Sequence, residues 1–255
     1  MLNETYSIVL AVFAAAAAGF VGSFALMKKT VLAGDVMSHI AIPGLGLAVL
    51  FAWNPLVGGG LTLLLGGLII WQLQKKTELS TEAAIGVIFA SSVAFGALLI
   101  NSKEELIDAL FGGFSALSFN EFIFGTAASI FIIIALWLLR NKLIITLFSE
   151  ELAAAAKINV NAVNLWFLLL FGLAILLGLR FLGALLAGSL IIIPAAAARQ
   201  LTHSLGKFLI TSSAIAVLSV LIGFFVSHSY HIALGPTVVV VSALFFMASL
   251  FKKKS

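Results

Sequence analysis

Long apolar runs follow one another along this chain, separated by short polar or charged breaks. A helix needs roughly 20 mainly apolar residues to cross about 30 Å of hydrocarbon. The runs of that kind are Tyr6–Met27, Val36–Trp53, Leu56–Leu73, Ala83–Ile100, Phe122–Leu139, Ala162–Leu179, Phe181–Ala198, Phe208–Ser227 and Ile232–Phe251. Most are bounded by charge or by Asn, Pro or His. Only Arg180 separates the sixth from the seventh, which predicts a tight hairpin at that residue. The first run is not a cleavable signal peptide: it lacks a basic leading segment, and Lys28 and Lys29 follow it as they would a stop-transfer segment. The pattern predicts an all-α, polytopic integral membrane protein. It has about nine transmembrane helices, eight or ten also fitting the run lengths, in a single transmembrane domain over residues 1–255.

Composition removes the alternative of a soluble globule. Of the 255 residues, 62% are hydrophobic and 9% charged, against about 25% charged in ordinary soluble domains, and too few charges remain to coat such a surface. The net charge of +4 does not point to nucleic acid, because the basic residues are scattered between apolar runs and not gathered on a face. The absence of Cys removes disulfides, thiolate metal sites and cysteine nucleophiles together.

The basic residues also orient the chain. With the N-terminus outside, the inner connections hold Lys28, Lys29, Lys75, Lys76, Arg140, Lys142, Lys157, Arg199, Lys207 and Lys252–Lys254, and the outer ones only Lys103 and Arg180. The positive-inside rule therefore predicts N-out, C-in. Two connections are long. The outer one, Asn101–Glu121, has an apolar middle too short to span, which predicts a half-helix or surface helix. The inner one, Asn141–Asn161, contains Ser149 followed by Glu150 and Glu151, the chemistry of a helix start. It predicts a short cytoplasmic helix with a break near Asn159. The alanine runs Ala14–Ala18, Ala153–Ala156 and Ala195–Ala198 predict close helix packing.

Several chemistries are missing. No G-x-x-x-x-G-K-[ST] phosphate loop, H-E-x-x-H or G-x-S-x-G occurs. The near absence of intramembrane acids argues against a carrier driven by a relay of buried carboxylates. One segment is the exception: Gly34-Asp35-Val36-Met37-Ser38-His39, followed by Pro43. An acid inside a span costs about 2.5–3.5 kcal/mol on insertion scales. Asp35 and His39 are four apart, so a helix places them on one face, and a carboxylate with an imidazole suits a first-row divalent cation. Pro43 predicts a kink or opened turn just beyond them. The alternative is structural: Asp35 caps the helix and His39 bonds a neighbouring helix. By counting from Lys29, Asp35 lies near the inner end of the second span, unless Thr30–Gly34 re-enters the bundle. Glu82 reads as a helix-start charge, Pro194 as a kink, and His203, His228 and His231 as surface residues, the last two also as a weaker candidate for metal at the outer mouth.

Taken together, these blocks resemble the permease subunits of ATP-binding-cassette importers for zinc, manganese and iron. Gly34–Leu50 is similar to the family's G-D-x-x-[SA]-H block and the small-residue helix after it. Thr81–Ile100 is similar to its fourth span, Leu110–Phe122 to its outer-loop L-F-G segment, Gly183–Arg199 to its Pro-Ala-Ala block, and Gly235-Pro236-Thr237 to the opening of its last span. Glu151-Leu152-Ala153 and Ile158-Asn159 match its E-L-A-x-x-x-G-[VI]-N segment, with Lys157 where Gly is usual. The resemblance implies a permease in a prokaryotic cell membrane that pairs as a homodimer. Cytoplasmic ATPase subunits would dock on it, and an extracytoplasmic metal-binding protein would deliver Zn2+, Mn2+ or Fe2+. It implies Asp35 and His39 as metal-contacting groups, Glu150, Glu151, Ala153 and Asn159 as the ATPase-coupling segment, alternating access as the mechanism, no resident cofactor and no enzymatic activity of its own. The alternative function is a stand-alone secondary carrier for a divalent metal or another small solute.

Overall fold

A computed structural model describes residues 2–76, 81–99, 118–183 and 187–251. Among them the elements are α1 (Leu2–Met27), α2 (Val31–Ile40), α3 (Ile42–Leu50), α4 (Pro55–Lys76), α5 (Thr81–Leu99), α6 (Phe119–Phe148), α7 (Glu150–Ala155), α8 (Val160–Leu182), α9 (Ala187–Leu201), α10 (Leu205–Tyr230) and α11 (Leu234–Leu250). Stretches of α1, α6, α8 and α10 are each long and apolar enough to cross a membrane. Shorter apolar stretches fall at Val36–Ala48, Val57–Leu73, Gly86–Leu99, Ala187–Leu201 and Leu234–Leu250. These are the places where the nine hydrophobic runs put spans, and the multi-pass helical membrane fold is as expected. Most of the outer connection, including Leu110–Gly113, lies outside the described residues.

The bundle is built around α1, which packs on α6, α8, α9 and α10. Its alanine run explains how it can sit in the middle: Ala14, Ala15, Ala17 and Ala18 are buried, and so are Phe20, Val21 and Phe24 a turn later. Small side chains let helix backbones approach in lipid, where no hydrophobic force drives helices together. Ser212 Oγ of α10 donates to Gly19 O at 2.6 Å and Ser213 Oγ to Ala16 O at 3.0 Å. Along its other side α1 runs parallel to α6: the Tyr6 ring stacks on Phe122 at one end, with centroids 4.8 Å apart, and Phe20 meets Trp137 near the other. The alanines of α9 pack too, Ala195, Ala197 and Ala198 being buried.

Several boundaries differ from the sequence reading. The break between the sixth and seventh spans is not at Arg180: α8 runs through that residue to Leu182 and ends at Gly183, whose φ of 72° suits a residue without a Cβ. One arginine does not stop a helix, whereas a glycine at positive φ with an extended ψ, here 174°, carries the chain out of it. The inner connection does not begin at Asn141, because α6 continues to Phe148 and the chain turns at Ser149. At its other end α6 begins at Phe119, before Glu121. Ser118 caps it, its Oγ accepting the Glu121 N–H at 3.2 Å while the Glu121 carboxylate accepts the Ser118 N–H at 3.0 Å.

The second span begins at Val31, not Val36, and is two helices. Pro43 has no N–H to donate to the carbonyl of His39, so the ladder is interrupted, and the chain turns at Ala41 between α2 and α3. The expected opened turn is present. Beyond it, α3 lies against α4 with Gly44 facing Gly58: a Cβ on either would strike the carbonyl oxygen of the other.

Candidate functional site

Asp35 and His39 lie one turn apart on α2. The position before the helix is Thr30, which makes no side-chain cap hydrogen bond. Residues 31–34 form the first turn of α2 and do not re-enter as a loop. Asp35 is therefore inside the helix, and the reading of it as an N-cap does not hold. The helix is held on several sides, packing on α4, α5, α8 and α9, and Met37, Ser38, Ile40 and Ala41 are buried. His39 is half-buried, its ring edge-on to Phe89 of α5 with centroids 5.1 Å apart and planes at 75°. Phe89 was not legible as a site residue: it is one Phe among 22, and only the packing of α5 on α2 singles it out. At the turn beyond, the Thr62 hydroxyl of α4 lies 3.5 Å from the Ala41 carbonyl oxygen and 3.1 Å from that of Gly59.

The corner leading into α2 is a Schellman motif. Lys29 N–H donates to Leu26 O at 3.2 Å and Thr30 N–H to Ala25 O at 3.0 Å, with Lys29 at φ 57°. Lys28 folds back over the bundle, its Nζ donating to Asn164 Oδ1 of α8 at 2.7 Å and standing 5.4 Å from the centre of the Phe167 ring. Burial holds the Lys28 ammonium below the usual lysine range. Sequence reasoning missed this contact; Asn164, a polar residue within the apolar run of α8, is the signal that could have found it.

The segment after α6 has the helix its capping chemistry implies. Ser149 Oγ accepts the Leu152 N–H at 3.2 Å, and α7 follows. The Asn159 side chain accepts the Ala162 N–H at 3.0 Å, so Asn159 starts α8. Between them lies a second Schellman motif: Lys157 N–H donates to Ala154 O at 2.9 Å and Ile158 N–H to Ala153 O at 2.8 Å. Lys157 takes φ 56°, the left-handed conformation that glycine adopts without cost. We expect Lys157→Gly to stabilise the chain by about 1 kcal/mol by relieving the Cβ clash. Lys157→Ala should give no such gain, because alanine keeps the Cβ. Thermal unfolding in detergent checks this, and equal stabilisation by both variants would assign the effect to charge instead. Within α7 the side chains divide. Ala153 is fully buried, whereas Glu151, Leu152, Ala154 and Ala155 are exposed. Ala153 therefore seats the helix and the others offer a surface.

The remaining histidines are not gathered with these residues. His203, His228 and His231 are exposed. His228 lies parallel to the Phe224 ring with centroids 6.0 Å apart, and His231 ends α10 in the left-handed conformation at φ 53°.

A bundle of helices, four of them long and apolar enough to cross a membrane, has the architecture of a multi-pass membrane protein. The sequence profile of the family described as "ABC 3 transport family" matches residues 4–253, and the chain belongs to that family. It is 32% identical to the high-affinity zinc uptake system membrane protein ZnuB of Haemophilus influenzae over 91% of each chain. It is 29% identical to the manganese import system permease protein ScaB of Streptococcus parasanguinis over 92% of this chain and 85% of that one. Among solved structures, PsaBC from Streptococcus pneumoniae in complex with Fab superposes with a TM-score of 0.87 at 27% identity. That match covers 99% of this chain and 92% of that one.

Proposed function

We propose that this permease moves a divalent first-row cation (zinc, manganese or ferrous iron) inward, with Asp35 and His39 as its contacts in the pathway. The observation that carries the reading is the pair itself. An acid and an imidazole sit one turn apart on a helix held by four others, in a chain with almost no other intramembrane acid. That placement is costly unless the charge is used, and an oxygen with a nitrogen donor suits these metals. The zinc and manganese systems named among the relatives support it. Two such ligands leave coordination positions for water or for a second copy across a twofold axis. The positive-inside bias supports N-out, C-in and puts α7 in the cytoplasm. There its exposed Glu151, Leu152 and Ala154 form a surface for an ATPase subunit. Closure of the ATPases on ATP would draw two such helices together and turn the bundle from outward- to inward-facing. An extracytoplasmic binding protein supplies the metal, and the chain itself carries no hydrolytic chemistry.

Uptake of radiolabelled zinc, manganese and iron tests the reading, in a host lacking its own importers and supplied with the cognate ATPase and binding protein. Uptake of none of them overturns it. The coupling surface is tested separately. Ala154→Pro should leave ATP hydrolysis intact and reduce uptake at least tenfold, since a helix-interior proline costs about 3 kcal/mol in a helix of one and a half turns. A cysteine at Ala154, in this Cys-free chain, should cross-link to the ATPase. Labelling of that cysteine only by impermeant reagents outside intact cells would invert the orientation and remove the coupling assignment.

A further inference from the structure

We infer that the hydrogen bond from Lys28 to Asn164 makes the start of α2 and α8 move as one body, so that Lys28 is a positioning residue carrying a displacement of α7 to the helix that bears Asp35 and His39. The inference rests on the reading of α7 as the ATPase contact and of that pair as the pathway.

Two stiff corners are joined by this contact. One leads from α1 into α2: besides its two Schellman bonds, the Thr30 hydroxyl lies 3.5 Å from Ala25 O, so a force on Lys28 is a force on the first turn of α2. The other leads from α7 into α8: its Schellman bonds run directly into the Asn159 cap, so a tilt of α7 is passed to the first turns of α8, where Asn164 lies. The helix α8 packs on both α7 and α2.

Further along α2 the contact with α8 is apolar. Met37 is buried, and its Cε lies 3.3 Å from where a Cβ on Gly172 of α8 would be. Such a contact has no direction, and a methionine adapts its rotamers as helices slide. The 2.7 Å bond from Lys28 Nζ to Asn164 Oδ1 is directional and fixes register. The membrane surface does not require Lys28 to fold inward, since Lys29 beside it is exposed. Withdrawing an ammonium from water is unfavourable, and here it gains a hydrogen bond and the face of Phe167. Met37 and His39 are two apart and so on opposite sides of α2. His39 meets Phe89 of α5, so a shift of α2 with α8 changes what surrounds the imidazole.

The test follows α2 directly. The permease is reconstituted in lipid with its ATPase and binding protein, and hydrogen exchange of the peptides covering α2 is measured with and without a non-hydrolysable ATP analogue. The analogue should change the exchange of α2 in the parent. Lys28→Met keeps the side-chain length over Phe167 and removes the donor. It should shrink that change about fivefold or more, the factor that about 1 kcal/mol of hydrogen bonding corresponds to. Asn164→Leu should do the same, and the two together no more than either alone. Asn164→Asp keeps an acceptor for Lys28 and should restore the response. In this Cys-free chain, Lys28→Cys with Asn164→Cys should lose the response and regain it when bridged by a bifunctional maleimide, but not when capped by a monofunctional one. A melting temperature lowered by Lys28→Met with the response intact is what a purely structural bond gives, and it overturns the inference. So does a parent whose α2 ignores the analogue, and so does a bridge that blocks the response, which would mean that the two residues part during the cycle. If Lys28→Met does not accumulate, the comparison of Asn164→Leu with Asn164→Asp decides. A parent whose α2 responds but which takes up no metal would overturn the proposed cargo and leave this inference standing.

Discussion

Asp35→Asn and His39→Ala are each expected to reduce metal uptake to background while the permease still accumulates in the membrane. Asp35→Asn keeps side-chain volume while it removes the charge and turns one acceptor oxygen into a donor amide, so it separates a ligand from a packing residue. His39→Ala removes the imidazole that stands edge-on to Phe89 at 5.1 Å. An aromatic edge contact of that kind is worth about 0.5–1.5 kcal/mol, too little to unfold a bundle in which α2 is held by α4, α5, α8 and α9. A loss of transport is then a loss of ligand. Labelled-metal uptake, normalised to the amount of permease in the membrane, measures it. Wild-type rates in both variants would remove Asp35 and His39 from the pathway, and failure of both to accumulate would return them to a structural role. Phe89→Leu is the companion variant: it disturbs the packing of His39 without touching either donor, and should retain most of the uptake.

The second large effect is expected at the crossing of α3 and α4. Gly44→Val should destabilise the protein by about 3 kcal/mol, the upper end of what overpacked sites cost, and abolish transport. A Cβ at Gly44 has no soft neighbour to displace. It meets the backbone of Gly58 and the Thr62 hydroxyl, and a Cβ at Gly58 meets Gly44 in return. Relief requires the two helices to separate, and α3 is continuous with α2 through the Ala41 turn, so the separation is felt at His39. Gly86→Ala is the control. Nothing lies within 4 Å of where its Cβ would be, and in mid-helix alanine is favoured over glycine by about 1 kcal/mol. It should melt at the same temperature as the parent or slightly above. Thermal unfolding of the two variants in one detergent distinguishes them. Equal behaviour would mean that the α3–α4 approach is not as close as the structure has it.

Much of the molecule was legible before any coordinates. Spans are read well because hydrocarbon forbids unpaired backbone, so nearly every long apolar run must become helix. The cap at Ser149, the break near Asn159 and the interruption at Pro43 were legible because each is a local matter of one donor and one acceptor; that Asn159 itself caps α8 came from the structure. Boundaries set by continuation were not legible. Nothing in Arg140-Asn141-Lys142 stops α6, and nothing in Arg180 stops α8, since charged residues at the membrane surface are good helix residues; composition marks where lipid ends, not where a helix ends. Lys157 shows the converse. The sequence marks it as a departure from the glycine that usually stands there, but the helix still ends, and the lysine adopts the left-handed backbone because two Schellman hydrogen bonds and the start of α8 at Asn159 require it.

The candidate site divides in the same way. That Asp35 and His39 lie a turn apart followed from spacing alone, as did the cost of placing an acid there. Only the tertiary structure decided that α2 starts a turn earlier, which removes the capping role of Asp35. It also decided that α5 brings Phe89 against His39, that Lys28 reaches Asn164, and that α1 occupies the centre of the bundle while α6 lies at its edge with most of its apolar surface uncovered. The long apolar helices α1, α6, α8 and α10 have nearly the same hydropathy, so hydrophobicity can assign each to the membrane and cannot rank them by depth in the protein. The ranking comes from side-chain size at the contacts: alanine and glycine on α1, α3 and α4 let backbones touch, and phenylalanine, leucine and tryptophan on α6 keep them apart.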